Sequence, residues 1–184
     1  MALKSIDLGN ASGKLTQKMV QLLEESEERI SAFQEGIGEQ ASPLFEPADY
    51  AEVADALMWI RETQQPGPRF GEWGCGFGVV TGLAALMGFE AVGIERDALL
   101  LDQARTLYQA CGVNAQLAQA NFFELSEAED RSIGPATFDV IYAYPWPREA
   151  DAWIQSFDET ARPGALLLTF HDFGELRLHR KLDA

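Results

Sequence analysis

The chain has 184 residues, 47% of them hydrophobic and 23% charged, enough for one sizeable core with a small appendage and too few for two full enzyme domains. Acidic residues outnumber basic ones 29 to 14, leaving a formal net charge of −15. This disfavours a phosphate-backbone partner, because non-specific nucleic-acid binding needs clustered Lys and Arg, and it favours small molecules or basic protein segments.

The opening Met1-Ala-Leu-Lys-Ser-Ile-Asp7 is too polar for a signal peptide, and no run of 18 apolar residues follows, so a cytoplasmic chain without a membrane partner is expected. From about Gly13 to Phe33, Leu15, Met19, Leu22, Ile30 and Phe33 recur at helical spacing, while Glu24, Glu25, Glu27 and Glu28 form a solvated face. Gly36-Ile-Gly38 is expected to end this helix, and Ala41 to Pro47 to form a loop. A second helix is predicted over Tyr50 to Thr63, with Val53, Leu57 and Ile60 as its apolar stripe. Residues 1–67 therefore read as a helical section packed on a core spanning 68–184.

After Pro68, short apolar runs alternate with helical segments, the pattern of a βαβ series and a parallel sheet. Strands are predicted near Arg69–Trp73, Ala91–Glu95, Ala115–Gln119, Phe138–Tyr144 and Gly164–Phe170. Helices fall at about Val79–Met87, Ala98–Cys111, Phe123–Ala128 and Arg148–Thr160. The last segment, Glu175 to Leu182, alternates apolar and polar residues after a tight turn at Asp172-Phe-Gly174. It must return antiparallel, since a parallel return needs a dozen or more residues. Its Arg177, His179, Arg180 and Lys181 read as a solvated strand face. The fold class is thus α/β: a Rossmann-like, doubly wound, mostly parallel sheet with a C-terminal antiparallel strand and two N-terminal helices covering the site.

Phe70-Gly-Glu-Trp-Gly-Cys-Gly-Phe-Gly78 is a glycine-rich turn between a strand and a helix. Its glycines let backbone approach a ligand, and the helix beginning near Val79 turns its free N–H groups and positive dipole end to the same place. Cys75 within the turn reads as a space-filling residue. Cys75 and Cys111 are the only cysteines, with no Cys-x-x-Cys or Cys/His cluster, so neither a disulfide framework nor a metal site is expected. Glu95 ends the next strand, where a carboxylate accepts hydrogen bonds from both hydroxyls of a ribose. A dinucleotide turn wants Gly-x-Gly-x-x-Gly, whereas Gly74, Gly76 and Gly78 lie two apart, which disfavours a nicotinamide-dependent oxidoreductase.

With the acid before it, the run Glu72-x-Gly74-x-Gly76-x-Gly78 resembles the first motif of class I S-adenosylmethionine-dependent methyltransferases. The resemblance covers roughly Phe70 to Lys181 and implies S-adenosylmethionine as cofactor. It places Glu72 near the cofactor's methionine amino group, the three glycines under its methionine and ribose, and Glu95 on the ribose. Asn121 falls at the adenine position, where the family usually has Asp, and Phe122 flanks the ring. Phe138-Asp-Val-Ile-Tyr-Ala-Tyr-Pro-Trp-Pro147 lies where the family builds the acceptor side. Tyr144-Pro145-Trp146 faintly echoes the Asp/Asn-Pro-Pro-aromatic motif of amino-group methyltransferases but lacks its Asp or Asn, so that substrate class is not carried over.

Two prolines stiffen the Tyr144 to Pro147 loop and present Tyr144 and Trp146 as aromatic walls for an apolar, planar or cationic acceptor. If the acceptor must lose a proton, candidates are His171 at the end of the fifth strand, the best placed, then Asp139 and the phenols Tyr142 and Tyr144. Tyr50 is placed to close over the cofactor. Common family members finish with a further helix and two strands, so a helix and a strand are expected to be missing here. The reading is a methyltransferase acting on a small-molecule acceptor, with a basic protein segment as the other class the acidic charge admits. A non-catalytic binding module on the same fold is the main alternative.

Overall fold

The computed structural model describes residues 2–37, 45–171 and 174–183. Its sheet has seven strands: β1 (Leu3–Ile6), β2 (Arg69–Trp73), β3 (Glu90–Glu95), β4 (Gln116–Gln119), β5 (Val140–Ala143), β6 (Leu166–His171) and β7 (Glu175–Lys181), in the order β1-β7-β6-β5-β2-β3-β4. Strands β2 to β6 pair in parallel, with Phe70 opposite Val140 and Ala91, while β7 returns antiparallel along β6. The chain winds outward through β3 and β4 and then resumes on the other side of β2 with β5. The strand order therefore reverses between β2 and β5, the place where open α/β sheets bind ligands beyond their strand C-termini.

The N-terminal strand corrects the expectation of a missing strand. Leu3–Ile6 pairs antiparallel with β7, with Leu3 opposite Lys181 and Ile6 opposite Leu178, and so runs in the direction of β2 to β6. It occupies the edge beyond β7, so one strand of the core sheet comes from the section before residue 67. Basic β7 is correspondingly an interior strand: Arg180 donates to Gln64 Oε1 at 2.7 Å and Lys181 pairs with Asp158.

Among the described residues six α-helices cover the sheet: α1 (Gln17–Ile37), α2 (Tyr50–Gln64), α3 (Val79–Leu86), α4 (Ala98–Cys111), α5 (Glu127–Ile133) and α6 (Ala150–Thr160). Side-chain caps set several starts. Asp49 accepts from Ala51 and Glu52 N–H, Asp97 accepts from Leu99 and Leu100 N–H, and Ser126 and Glu129 form a capping box. Helix α1 starts at Gln17 rather than Gly13, where the Thr16 hydroxyl accepts from Met19 N–H, and it continues through Gly36 to Ile37. Gly38, most of the 41–47 loop and the Asp172-Phe173 part of the last turn lie outside the described residues. The short segment expected near Phe123 is a 3-10 turn, Phe122–Glu124, followed by α5.

One face of the sheet buries Phe70, Val140, Leu166 and Leu168 against Val53, Leu57 and Ile60 of α2, the stripe expected from sequence. The other buries Trp73, Ile141 and Leu167 against Trp153 and Phe157 of α6. Fully burying such a side chain contributes about 1.5–3 kcal/mol. Met19, Leu22 and Ile30 of α1 pack on Val79 and Leu83 of α3 and on Leu107 and Tyr108 of α4. Helix α1 is thus an outer layer behind the glycine turn, and none of its residues lines the cavity at the sheet edge; covering the site falls to the segment just before α2 and to Tyr50.

Candidate functional site

The glycine turn is built by backbone geometry that only glycine adopts readily. Gly74, Gly76 and Gly78 have φ of 72°, 51° and 67°, all in the left-handed region. Gly74 and Cys75 N–H both donate to Ile94 O, at 2.9 and 3.0 Å, which ties the turn to the end of β3. A Cβ on Gly76 would meet the Phe45 ring at 2.6 Å, and one on Gly78 would meet the Tyr108 hydroxyl at 2.6 Å. Tyr108 itself donates to Gly78 O at 2.6 Å, fixing the turn from behind. The third glycine is therefore demanded by α4 packing as well as by its own φ.

Glu72 caps α3 from across the turn. Its Oε2 accepts from Thr81 N–H at 2.6 Å and from the Thr81 hydroxyl at 2.5 Å, satisfying a first-turn donor that the chain's own N-cap, Gly78, cannot reach. Thr81 is a site residue that sequence reasoning missed; the available signal was a hydroxyl three residues past the last glycine. Glu72 is 4% exposed, and no cation pairs with it among the described residues. Burial, opposed by the Thr81 bonds and reinforced by Glu95, pushes its carboxyl up to about 8. Burial together with the two glutamates also raises the Cys75 thiol, consistent with a space-filling role rather than a nucleophile.

These residues line a cavity of about 530 Å³ at the C-terminal edge of the sheet, within the usual range for small-molecule sites. Glu72, Gly74, Gly76, Glu95, Asn121, Phe122, Tyr144 and Trp146 all lie on its wall; Gly78 stands behind it. Glu95 uses one lone pair of each oxygen on backbone, Oε2 on Gly76 N–H at 3.0 Å and Oε1 on Asp97 N–H at 2.9 Å. Each oxygen keeps a second acceptor site. Asn121 Oδ1 accepts from Phe123 N–H at 3.3 Å, which leaves its amide N–H₂ for a ligand. Phe122 stacks on Trp73 with ring centroids 4.7 Å apart and packs against Trp153 at 4.3 Å, so it is both cavity wall and core.

Beyond β5, Tyr144 meets Phe170 edge to face at 5.0 Å, while Trp146 stands 42% exposed. Tyr50, at the start of α2, and Tyr142, opposite Glu72 in the β2–β5 register, also line the cavity. Burial, then Glu72, raises both phenols far above their ordinary range. The Tyr142 hydroxyl and the Trp153 indole N–H are buried without a hydrogen-bond partner among the described residues. Two sequence candidates are not brought here. His171 ends β6 with its Nε2 2.9 Å from the Thr169 hydroxyl and does not line the cavity. Asp139 precedes β5 at the opposite edge, where it accepts from Arg69 N–H at 2.8 Å and pairs with Arg162.

No protein-family model and no curated protein matches the chain. Solved structures do. An RNA methyltransferase from Salinibacter ruber in complex with S-adenosyl-L-homocysteine superposes with a TM-score of 0.59 at 20% identity, over 76% of this chain and 95% of that one. An O-methyltransferase from Bacillus cereus gives 0.57 at 16% identity, over 85% and 66% of the two chains. A S-adenosylmethionine-dependent methyltransferase from Clostridium acetobutylicum gives 0.53 at 14% identity, over 66% of this chain and half of that one. The chain thus spans from half to nearly all of the structures it resembles. Its fold is that of the class I S-adenosylmethionine-dependent methyltransferases.

Proposed function

We propose that this protein binds S-adenosylmethionine at the glycine turn and transfers its methyl group to a small-molecule acceptor. The observation that carries the reading is convergence: glycines held at positive φ, the buried unpaired Glu72 and the strand-end Glu95 meet on one cavity at the point where strand order reverses. The residues fit the cofactor. Glu72 would hold the methionine ammonium, which supplies the countercharge this carboxyl lacks; Glu95 would accept from the ribose hydroxyls; Asn121 and Phe122 would flank the adenine.

When bound, the cofactor supplies an activated methyl group on a sulfonium sulfur. The work left to the chain is alignment and exclusion of water. The Gly74 to Gly78 turn fixes one side of the cavity through Ile94 and Tyr108, and the stiff Tyr144 to Pro147 loop presents the other. Isothermal titration with S-adenosylmethionine and S-adenosylhomocysteine tests the reading. Micromolar binding of both is expected, and no binding of either at millimolar concentration overturns it. Binding without methyl incorporation into any small-molecule or basic-peptide acceptor would favour a non-catalytic module.

A further inference from the structure

The cavity has two chemically different ends. The end at β2, β3 and β4 carries the glycine turn, Glu95 and Asn121. The other is formed by the loop leaving β5 and the segment entering α2, with Tyr144 and Trp146 as ring surfaces and Glu46 and Glu149 as charges. Glu149 N–H donates to Trp146 O at 2.8 Å, so a single tight turn that contains Pro147 brings both residues to the cavity wall. Among the described residues lining the cavity the one cation is Arg96, which follows Glu95 at the far end. Arg148 lies in the same turn but does not line the cavity, so the charges that face this end are carboxylates, and a ring face with a carboxylate near it attracts a cation.

An alcohol acceptor would need a base at this end. Burial, then Glu72, raises the Tyr50 and Tyr142 phenols and His171 lies off the cavity, which leaves that task to Tyr144 and the carboxylates of Glu46 and Glu149. An amine is different, since its free-base fraction at neutral pH already carries the attacking lone pair.

We infer that the acceptor is a small organic amine with an apolar body, drawn in as its ammonium against Tyr144, Trp146, Glu46 and Glu149 and methylated on nitrogen. This rests on the methyl-transfer reading above. The ammonium gives one proton to water at the cavity mouth. The nitrogen lone pair then forms the bond to the donated methyl carbon while the methyl–sulfur bond breaks and its electron pair stays on sulfur. The positive charge passes from sulfur to nitrogen, and the product leaves as a methylammonium.

The experiment titrates benzylamine, phenethylamine and tryptamine, with the alcohols and carboxylates of the same ring systems, into the full chain saturated with S-adenosylhomocysteine. At least one amine should bind about tenfold more tightly than its alcohol, with the carboxylate weakest. Glu149→Gln and Trp146→Ala should each weaken that amine severalfold while S-adenosylhomocysteine affinity stays within twofold, and both positions are exposed enough for the variants to fold. With S-adenosylmethionine carrying a labelled methyl group, label should appear on the amine nitrogen. Equal or tighter binding of the alcohol or carboxylate, no binding in any series, or variants that leave the amine unaffected would overturn the inference. Failure of S-adenosylhomocysteine to bind would instead overturn the proposed function on which it stands.

Discussion

Replacing Glu72 by Gln isolates the electrostatics of the glycine turn. In the unfolded chain this carboxyl ionises near its ordinary 4.5, and in the fold near 8. Between those values the folded state binds more protons, so stability falls as pH rises through the window and levels off above it. The span sets a ceiling of about 5 kcal/mol on what ionising Glu72 costs the empty fold at pH 8. Gln keeps an acceptor for Thr81 N–H and removes the charge. The variant should therefore match the wild type near pH 5 and exceed it increasingly toward pH 8. At about 2–4 °C per kcal/mol for a chain of this size, that ceiling corresponds to a gain in Tm of roughly 10–20 °C at the upper end of the pH range. Thermal melts of both proteins from pH 5 to 9 give the difference curve, which cancels every other titrating group. S-adenosylhomocysteine, whose ammonium would restore the charged carboxyl, should release a proton from the wild type on binding, seen as a buffer-dependent enthalpy near pH 7, and should bind Glu72→Gln at least tenfold more weakly. Parallel melting curves across the window would refute the argument.

Gly76→Ala places a methyl against the Phe45 ring at φ 51°; a loss of about 1–2 kcal/mol from the left-handed backbone alone should accompany loss of cofactor affinity, read by melting and titration together. Glu95→Gln keeps only one of two backbone-accepting oxygens, so stability should fall by about 1–3 kcal/mol and S-adenosylhomocysteine affinity by tenfold or more. Tyr108→Phe deletes the bond to Gly78 O and should cost about 1 kcal/mol in urea unfolding, with a smaller change in affinity than either site variant. Removing residues 2–6 strips β1 from β7, together with the Leu182 N–H to Ala2 O bond. Roughly 2–4 kcal/mol of stability and some solubility should go with it, because β7 becomes an open edge, while cofactor affinity should change less than threefold.

Most of the core was legible because its elements obey one period each. The β2 strand and the α4 helix fall where sequence places them, since Asp97 and Gly112 mark both ends of α4 with standard caps. The edge strand was not. Leu3–Ile6 is four residues, too short for a period to show, and its β-structure comes from pairing with β7, from Ile6 with Leu178 to Leu3 with Lys181, a distant partner that no local pattern reveals. The position of α1 was equally hidden. An amphipathic stripe says that a face is buried but not against what, and the matching surface here belongs to α3 and α4 rather than to the cavity. Asp139 misled for a related reason, since a strand's two ends look alike in sequence while only the C-terminal edge carries the site; His171 does end β6 on that edge, but its ring sits by the Thr169 hydroxyl and not on the cavity wall.

The same contrast explains why the two ends of the cavity differ in how they can be read. At the glycine turn the constraint falls on the backbone: three residues must hold positive φ within a five-residue stretch, and glycine alone does so at little cost. Even so, the spacing is over-determined by the protein itself. Phe45 and Tyr108 crowd the Cβ positions of Gly76 and Gly78, so at two of its three glycines a motif read as cofactor clearance is also a packing requirement. Beyond β5 the constraint falls on side-chain surfaces, where ring area and charge can be met by many residue types in many orders. Tyr144, Trp146 and Glu149 match no acceptor motif, yet they line the end of the cavity away from Arg96, its one cation among the described residues, and it is this placement, not the spelling of the loop, from which the amine is inferred.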